Sequence, residues 1–398
     1  MTLKKMALLS LLLVTNIAFA QMKLSDYYKF SADTYNAIQK DSNLWRGGIT
    51  SSDLSFIGLY KEALVEYDKP RQDKKTISSA DSLLFVKKYH PVDAKAFILQ
   101  KAKENQIVIF NEAHYNPRNR VFVTSLLADL KKAGYKYFAA ETFSEERVFR
   151  NAEHPGILTG YYSVEPQFGN LVRAATKLDY ILYPYEDTSR VYNAKQREIG
   201  EATNLATLLK KDPGAKIIVY CGFNHIYEDA VVNWGKAMAG HLKEFTGIDP
   251  YTIDQVDLSE KSETALEAPE YRIIQSAFHP AAYTIMVDES GKPFTNHRVD
   301  ALLYTPPTVY QYNRPGWIFE NDKKPYFLDA TKIEISFPII VKAYPATDDI
   351  QTKVPVDIIE IKSKADVANT ALALAKQGLF IITITNKENK TQQFTIGK

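Results

Sequence analysis

The sequence predicts an α/β protein: a mostly parallel sheet flanked by helices, followed by a small C-terminal all-β, sandwich-like domain. Two observations carry this. From Pro91 to about residue 260, short runs that are apolar on both faces, such as Ile107-Val108-Ile109-Phe110, alternate with helical stretches, the pattern of strands buried on both sides. After about Leu328 the helical patterning nearly vanishes, and short strands with turn chemistry replace it.

Taken in order, the first twenty residues read as a targeting segment. Lys4 and Lys5 give a positive start, Met6 to Val14 form an apolar run too short to span a bilayer, and Ala18-Phe19-Ala20 has the small-x-small pattern that a signal peptidase cleaves. The mature chain is expected to begin near Gln21, which makes the protein exported, periplasmic or secreted, and the lack of a cysteine there argues against a lipoprotein anchor. No later stretch reads as a transmembrane segment. The chain has 49 basic and 47 acidic residues, so loss of Lys4 and Lys5 leaves 47 against 47. A neutral chain lacks the basic field that holds nucleic acid or an anionic membrane, and neither is an expected partner. Cys221 is the only cysteine and sits in an apolar run, so it reads as a buried structural thiol with no disulfide partner.

Residues 21–90 read as a helical lead-in packed on the main domain. Tyr27, Tyr28, Phe30 and Tyr35, then Leu54, Ile57, Tyr60 and Leu64, recur at helical spacing, with a break at Gly47-Gly48 and an end at Lys69-Pro70. Residues 91–328 form the α/β domain. Its expected elements are a helix over 94–104, a strand over 107–110, a helix over 121–132 stopped by Gly134, and strands over 137–140 and 180–183. A long helix over 194–211, a strand over 216–221, a helix over 226–245 and a strand over 251–258 follow. Strand-like runs at 283–287 and 299–304 complete the domain. Residues 329–398 are expected to form the β domain, with strands over 333–343, 356–361, 379–385 and 392–396, and a turn at Asn386-Lys387-Glu388-Asn389. This domain is a candidate for docking a partner.

In a parallel sheet, ligands bind beyond the carboxyl ends of the strands. Four apolar strands here end in polar, titratable groups: Asn111-Glu112-Ala113-His114, Glu141, Tyr185-Glu186-Asp187, and Gly222-Phe223-Asn224-His225. Glu112 and His114 are two apart and point the same way if the strand continues. That suits a carboxylate orienting an imidazole, or two ligands of one metal. Glu141 leaves an apolar strand, where desolvation would raise its pKa toward acid/base values; the alternative is a salt bridge to Arg118 or Arg120. His225 follows Gly222, which lets the backbone turn sharply. Tyr185 and Glu186 are candidates for lining the pocket. From the residues alone, Arg197-Glu198 reads as a solvated helical pair, and His90, His154 and His279, each before a proline, read as loop residues. No phosphate-binding glycine loop, CxxC pair, G-x-S-x-G elbow or HExxH helix is present, which argues against nucleotide enzymes, serine esterases and zincins.

Together these motifs resemble the superfamily of erythromycin esterases, ChaN-like haem-binding proteins and Tiki/TraB proteins. The strand leading into Asn-Glu-Ala-His-Tyr-Asn-Pro, the strand ending in Glu141, Arg197-Glu198 with Ala202 and Asn204, and the Gly-Phe-Asn-His225 ending follow that order over roughly residues 90 to 260. The chain departs from the pattern at Asn111, where a glycine is usual, and in the shorter Glu112–His114 spacing. The resemblance implies an α/β fold with a site of Glu112, His114, Glu141, Arg197 and His225. It also implies hydrolysis by a histidine and carboxylates, metal-dependent proteolysis, or haem-iron binding. The favoured expectation is hydrolysis of a small-molecule or peptide substrate, with His114 as base and Arg197 or His225 stabilising the oxyanion. A metal-assisted form would use His114, His225 and Glu112 as ligands. The cofactor is otherwise unknown, with a divalent metal and haem as the candidates. The competing expectation is a binding protein, either for haem or with a vestigial site.

Overall fold

In the computed structural model, residues 26–39, 46–71, 76–189, 193–231 and 234–397 are described. The targeting segment and the expected start at Gln21 lie outside them. No helix among the described residues is long and apolar enough to cross a membrane.

Four helices lead: α1 (Ser31–Gln39), α2 (Arg46–Phe56), α3 (Tyr60–Asp68) and α4 (Ser79–Lys88). Gly47 and Gly48, the expected break, lie inside α2. The chain turns instead at Gly58, whose φ of +76° and close approach to Ile358 O, 2.2 Å from where a Cβ would stand, demand glycine. The helices pack on the α/β domain and on the C-terminal β region together. Tyr28, Phe30, Leu54 and Ile57 share a buried cluster with Ile340, Ile358 and Ile382 of the C-terminal β region, and this cluster reaches the α/β domain at Ala113, Tyr115 and Val164. Phe85 of α4 instead enters a core of the α/β domain.

The α/β domain runs β1 (His90–Asp93), α5 (Ala94–Glu104), β2 (Ile107–Glu112), α6 (Arg118–Thr124), α7 (Leu127–Lys132), β3 (Tyr135–Ala140) and α8 (Glu146–Arg150). It continues through α9 (Pro166–Lys177), β4 (Ile181–Pro184), α10 (Ala194–Lys211), β5 (Lys216–Gly222), β6 (Ala230–Val231), β7 (Gly235–Lys236) and α11 (Met238–Thr246). It closes with β8 (Tyr251–Asp254), α12 (Pro269–Phe278), β9 (Thr284–Val287) and β10 (Ala301–Tyr304). Eight strands form one sheet in the order β1-β9-β10-β8-β2-β5-β3-β4. Neighbours from β10 to β4 are parallel, while β9 is antiparallel to both β1 and β10. In β2, Val108 and Phe110 enter the core on one face, and Ile107 and Ile109 enter the core on the other. This is why the strand reads as apolar throughout.

Two helices differ from expectation. The stretch 121–132 is split between α6 and α7, where the Thr124 and Ser125 hydroxyls bond back to Arg120 O and Phe122 O and bend the chain. Among the described residues of 226–245, β6 and β7 pair antiparallel, with Gly235 of β7 at φ +78°, and α11 starts only at Met238. The β region holds β11 (Tyr310–Gln311), β12 (Arg314–Pro315), β13 (Lys323–Phe327), β14 (Ile339–Pro345), β15 (Asp357–Ile361), β16 (Ala371–Ala375), β17 (Leu379–Asn386) and β18 (Thr391–Gly397). Four strands make an antiparallel sheet in the order β15-β14-β17-β18, and β13 pairs with β16, so the β region reaches back before residue 329.

Candidate functional site

The carboxyl ends of β2, β3, β4 and β5 open on one cleft of about 1710 Å³, lined by His114, Glu141, Glu186, Arg197 and His225 among others. Tyr67 of α3, Arg71 just past its end, Tyr162 between α8 and α9, and Trp234 complete its walls.

One side of the cleft is built on β2. Asn111 donates from Nδ2 to Phe223 O (2.9 Å) and Asp254 Oδ2 (3.0 Å) and accepts from Gln255 N (2.7 Å), which ties the ends of β2, β5 and β8 together. Glu112, 2 % exposed, spends both oxygens inside the protein. Arg120 Nε donates to Oε2 and Arg120 Nη2 to Oε1, each at 2.6 Å, in a two-pronged clamp, and Tyr220 OH adds a third bond to Oε2 at 2.8 Å. His114 Nδ1 lies 2.9 Å from Oε1. Burial alone would raise the Glu112 pKa, but the Arg120 charge and the bonds from Arg120 and His114 outweigh it and hold the carboxyl at about 2. Arg120 is held in turn by Glu165 Oε2 (2.9 Å), and Glu165 Oε1 accepts from Tyr60 OH of α3 at 3.1 Å.

With Glu112 ionised and accepting at Oε1, the hydrogen between the two side chains sits on His114 Nδ1, and in the neutral imidazole the lone pair is then on Nε2. The ring stacks on Tyr162 with centroids 3.8 Å apart, and its Nε2 edge stands over Gly222. A Cβ at Gly222 would lie 2.5 Å from His114 Nε2 and 3.0 Å from Glu141 Oε2, so only glycine lets both groups face this spot.

The other side gathers around Arg197 of α10. Glu141 accepts from Arg197 Nη2 at Oε1 (2.6 Å) and from the Gly222 backbone N–H at Oε2. Arg197 Nη2 also reaches Glu186 Oε2 at 3.2 Å, and Nη1 donates to His225 Nε2 at 3.0 Å. Because Nε2 accepts there, the His225 proton sits on Nδ1, 2.7 Å from Glu198 Oε1. Phe223, with φ +34°, turns the chain so that His225 reaches this position, and Trp234 stacks on the imidazole.

The charges sort the carboxyls. Burial would raise Glu141, but His225, Arg197 and His114 pull it below its ordinary value; the expected upward shift is corrected, because the positive groups outweigh the desolvation. Burial and the neighbouring Glu141 charge push Glu186 up to about 7. Burial raises Glu201 well above its ordinary value against the pull of Arg197. For His225, burial lowers the pKa, yet Glu141 and Glu198 raise it on balance.

The structure therefore brings His114, Glu141, Arg197 and His225 to one cleft, with Glu112 buried behind His114. It does not gather His114, His225 and Glu112 as metal ligands, because Arg120, Tyr220 and His114 take up the Glu112 oxygens. Among the described residues, the His/Cys/Asp/Glu group with ligand spacing is Glu198, Glu201 and His225. Arg118 and Arg120 do not pair with Glu141: Arg118 Nε meets Tyr283 OH at 3.3 Å, and Arg120 clamps Glu112. The sequence reading did not single out Arg120 as the partner of Glu112, nor Tyr162, Glu165, Tyr220, Trp234 or Glu201. Glu201 had a readable signal, one helical turn after Arg197 on the same face; the others are joined only by tertiary contacts.

No family model matches the sequence, and no curated protein matches it. Two solved structures are similar in part. The type III effector HopBA1 is 16 % identical over 42 % of this chain and 84 % of that chain, with a TM-score of 0.30. RRSP, a MARTX toxin effector domain from Vibrio vulnificus, is 12 % identical over 49 % of this chain and 44 % of that chain, with a TM-score of 0.28.

Proposed function

We propose that the protein is a hydrolase in which the Glu112–His114 pair activates water against the carbonyl of a small-molecule or peptide ester or amide. One observation carries the reading: Glu112 is clamped in its ionised form and holds the His114 proton on Nδ1, leaving Nε2 as a base at the cleft. His114 Nε2 takes a proton as the water oxygen bonds to the carbonyl carbon. The oxyanion forms beside the Arg197 guanidinium, which is 33 % exposed on the cleft. When the tetrahedral intermediate collapses, the carbon–leaving-group bond breaks and the departing atom takes a proton from the imidazolium or from Glu186, whose pKa near 7 keeps part of it protonated at neutral pH.

The test is turnover of a panel of nitrophenyl esters and peptide anilides by the full mature chain. His114→Ala should lower the rate by roughly 10³-fold, within the range for losing a general base, with an unchanged far-ultraviolet spectrum and melting temperature. Full turnover in that variant rejects the reading. The exported setting belongs to the same proposal, and mass spectrometry of secreted protein should find an N-terminus at Gln21.

A further inference from the structure

Behind His225, on the side away from the cleft, α10 presents two buried glutamates. Glu198 Oε2 accepts from Met238 N at 2.7 Å and caps α11, which leaves Oε1 facing His225 Nδ1. Glu201 is fully buried, and among the described residues neither of its oxygens accepts a hydrogen bond. Arg197 Nε comes to 2.9 Å of Glu201 Oε1, but not in line for a bond. His225 Nδ1 is also out of line with Glu198 and without a hydrogen-bond partner among the described residues. One nitrogen and two carboxylate oxygens thus lie within 4.8 Å of one another.

Charge points the same way. Four carboxyls (Glu141, Glu186, Glu198 and Glu201) surround one guanidinium and one imidazole. A buried carboxylate without a donor is costly, so this pocket favours taking up positive charge, whether protons or a cation.

We propose that Glu198, Glu201 and His225 Nδ1 bind a first-row divalent transition-metal ion, a site separate from the His114 base. An imidazole nitrogen with two carboxylates selects zinc, cobalt or manganese over calcium or magnesium, which prefer all-oxygen shells. As the ion binds Nδ1, the single ring proton moves from Nδ1 to Nε2, so the imidazole stays neutral. As a donor, Nε2 can no longer accept from Arg197 Nη1 and turns to Glu141 Oε1, now 3.7 Å away, giving a carboxylate–histidine–metal chain. Arg197 Nη1 is thereby released toward the cleft. Metal binding and oxyanion stabilisation are then linked through one imidazole tautomer.

The experiment uses the full mature chain stripped with a chelator and titrated with Co²⁺ or Zn²⁺, followed by calorimetry, melting temperature and the visible d–d absorption of Co²⁺. A single saturable ion per chain, a raised melting temperature and a cobalt spectrum of mixed nitrogen and oxygen ligation are expected. Glu201→Gln should weaken binding by about 100-fold, and Glu201→Asp, which keeps the charge but shortens the reach, by less. His114→Ala should bind the ion as the parent does while losing hydrolysis, so failure of the hydrolase reading and failure of the metal site are read separately. Absence of saturable binding to the parent chain overturns the proposal, as does parent-like affinity in a folded Glu201→Gln variant.

Discussion

The two sides of the cleft hold the same kinds of residue under opposite conditions. On the β2 side, Glu112 meets an arginine, a tyrosine and a histidine and each of its oxygens is bonded, while the same arginine also holds Glu165. On the α10 side, four carboxyls compete for one arginine and one histidine, and Glu201 goes without a bond from any described residue. The first arrangement fixes a protonation state and a ring orientation, as a general base requires. The second leaves protons and orientation negotiable, as a site that exchanges a proton for another cation requires. The difference lies in the ratio of donors to acceptors, not in residue type or depth.

The largest test of the contrast is Arg120→Leu. Removing the clamp leaves Glu112 and Glu165 as buried carboxylates with their main cation gone, which should cost about 3–5 kcal/mol. Urea unfolding measures the loss, and a loss below about 1 kcal/mol would mean that the clamp is not what holds the β2 side. A second test uses acid. The Glu112 pKa is lowered on folding, from 4.5 to about 2. Its contribution is therefore fully present above the unfolded value and lost as the pH falls from about 4.5 toward 2. The shift corresponds to about 3 kcal/mol. Stability measured across that window should fall in the parent, with a shallower fall in Glu112→Gln. Equal slopes would refute the lowered pKa.

The support of the β2 side extends to Tyr60, since its hydroxyl bonds Glu165, which holds Arg120. Tyr60→Phe deletes that one bond and keeps the ring on Trp317, 5.0 Å between centroids. A loss of about 1 kcal/mol is expected, with a small drop in kcat at unchanged KM if the relay positions His114. A KM change without a kcat change would place Tyr60 in substrate binding instead.

How much of this is legible in the sequence depends on the range of the interaction. The starts of α5 and α10 can be read because Asp93 and Asn193 cap them, accepting from Ala96 N and from Lys195 N and Gln196 N. The strand ends are legible because β2 and β5 are apolar on both faces until the polar groups begin, and the edge rule then places Glu112, His114, Glu141 and His225 near one another. Arg197 entered through the family resemblance; its helical spacing alone reads as a surface pair. The pairing of β6 with β7 after His225 is masked by an apolar run that a helix would also use, and Gly235 of β7 has a positive φ. The clamp on Glu112 and the docking of α1 to α3 on the C-terminal sheet join segments far apart in the chain, so no local pattern announces them.

The smallest expected effect is the sharpest comparison, because it makes the same chemical change on both sides. Glu112→Gln removes a charge that Arg120 needs, whereas Glu201→Gln, in metal-stripped protein at pH 7, removes a carboxyl to which no described residue donates a hydrogen bond. Glutamine fills the same space, its amide oxygen can turn to Arg197 Nε, and its NH₂ group can donate to Glu198. Stability should therefore stay within about 0.5 kcal/mol of the parent or rise slightly, since replacing an unsatisfied buried polar group carries no penalty for a lost bond. If Glu201→Gln instead costs 2 kcal/mol or more by urea unfolding, as expected only of a bonded group, then the Arg197–Glu201 contact at 2.9 Å is a true charge-assisted bond. In that case the α10 side is as fully partnered as the β2 side, and the contrast between them fails.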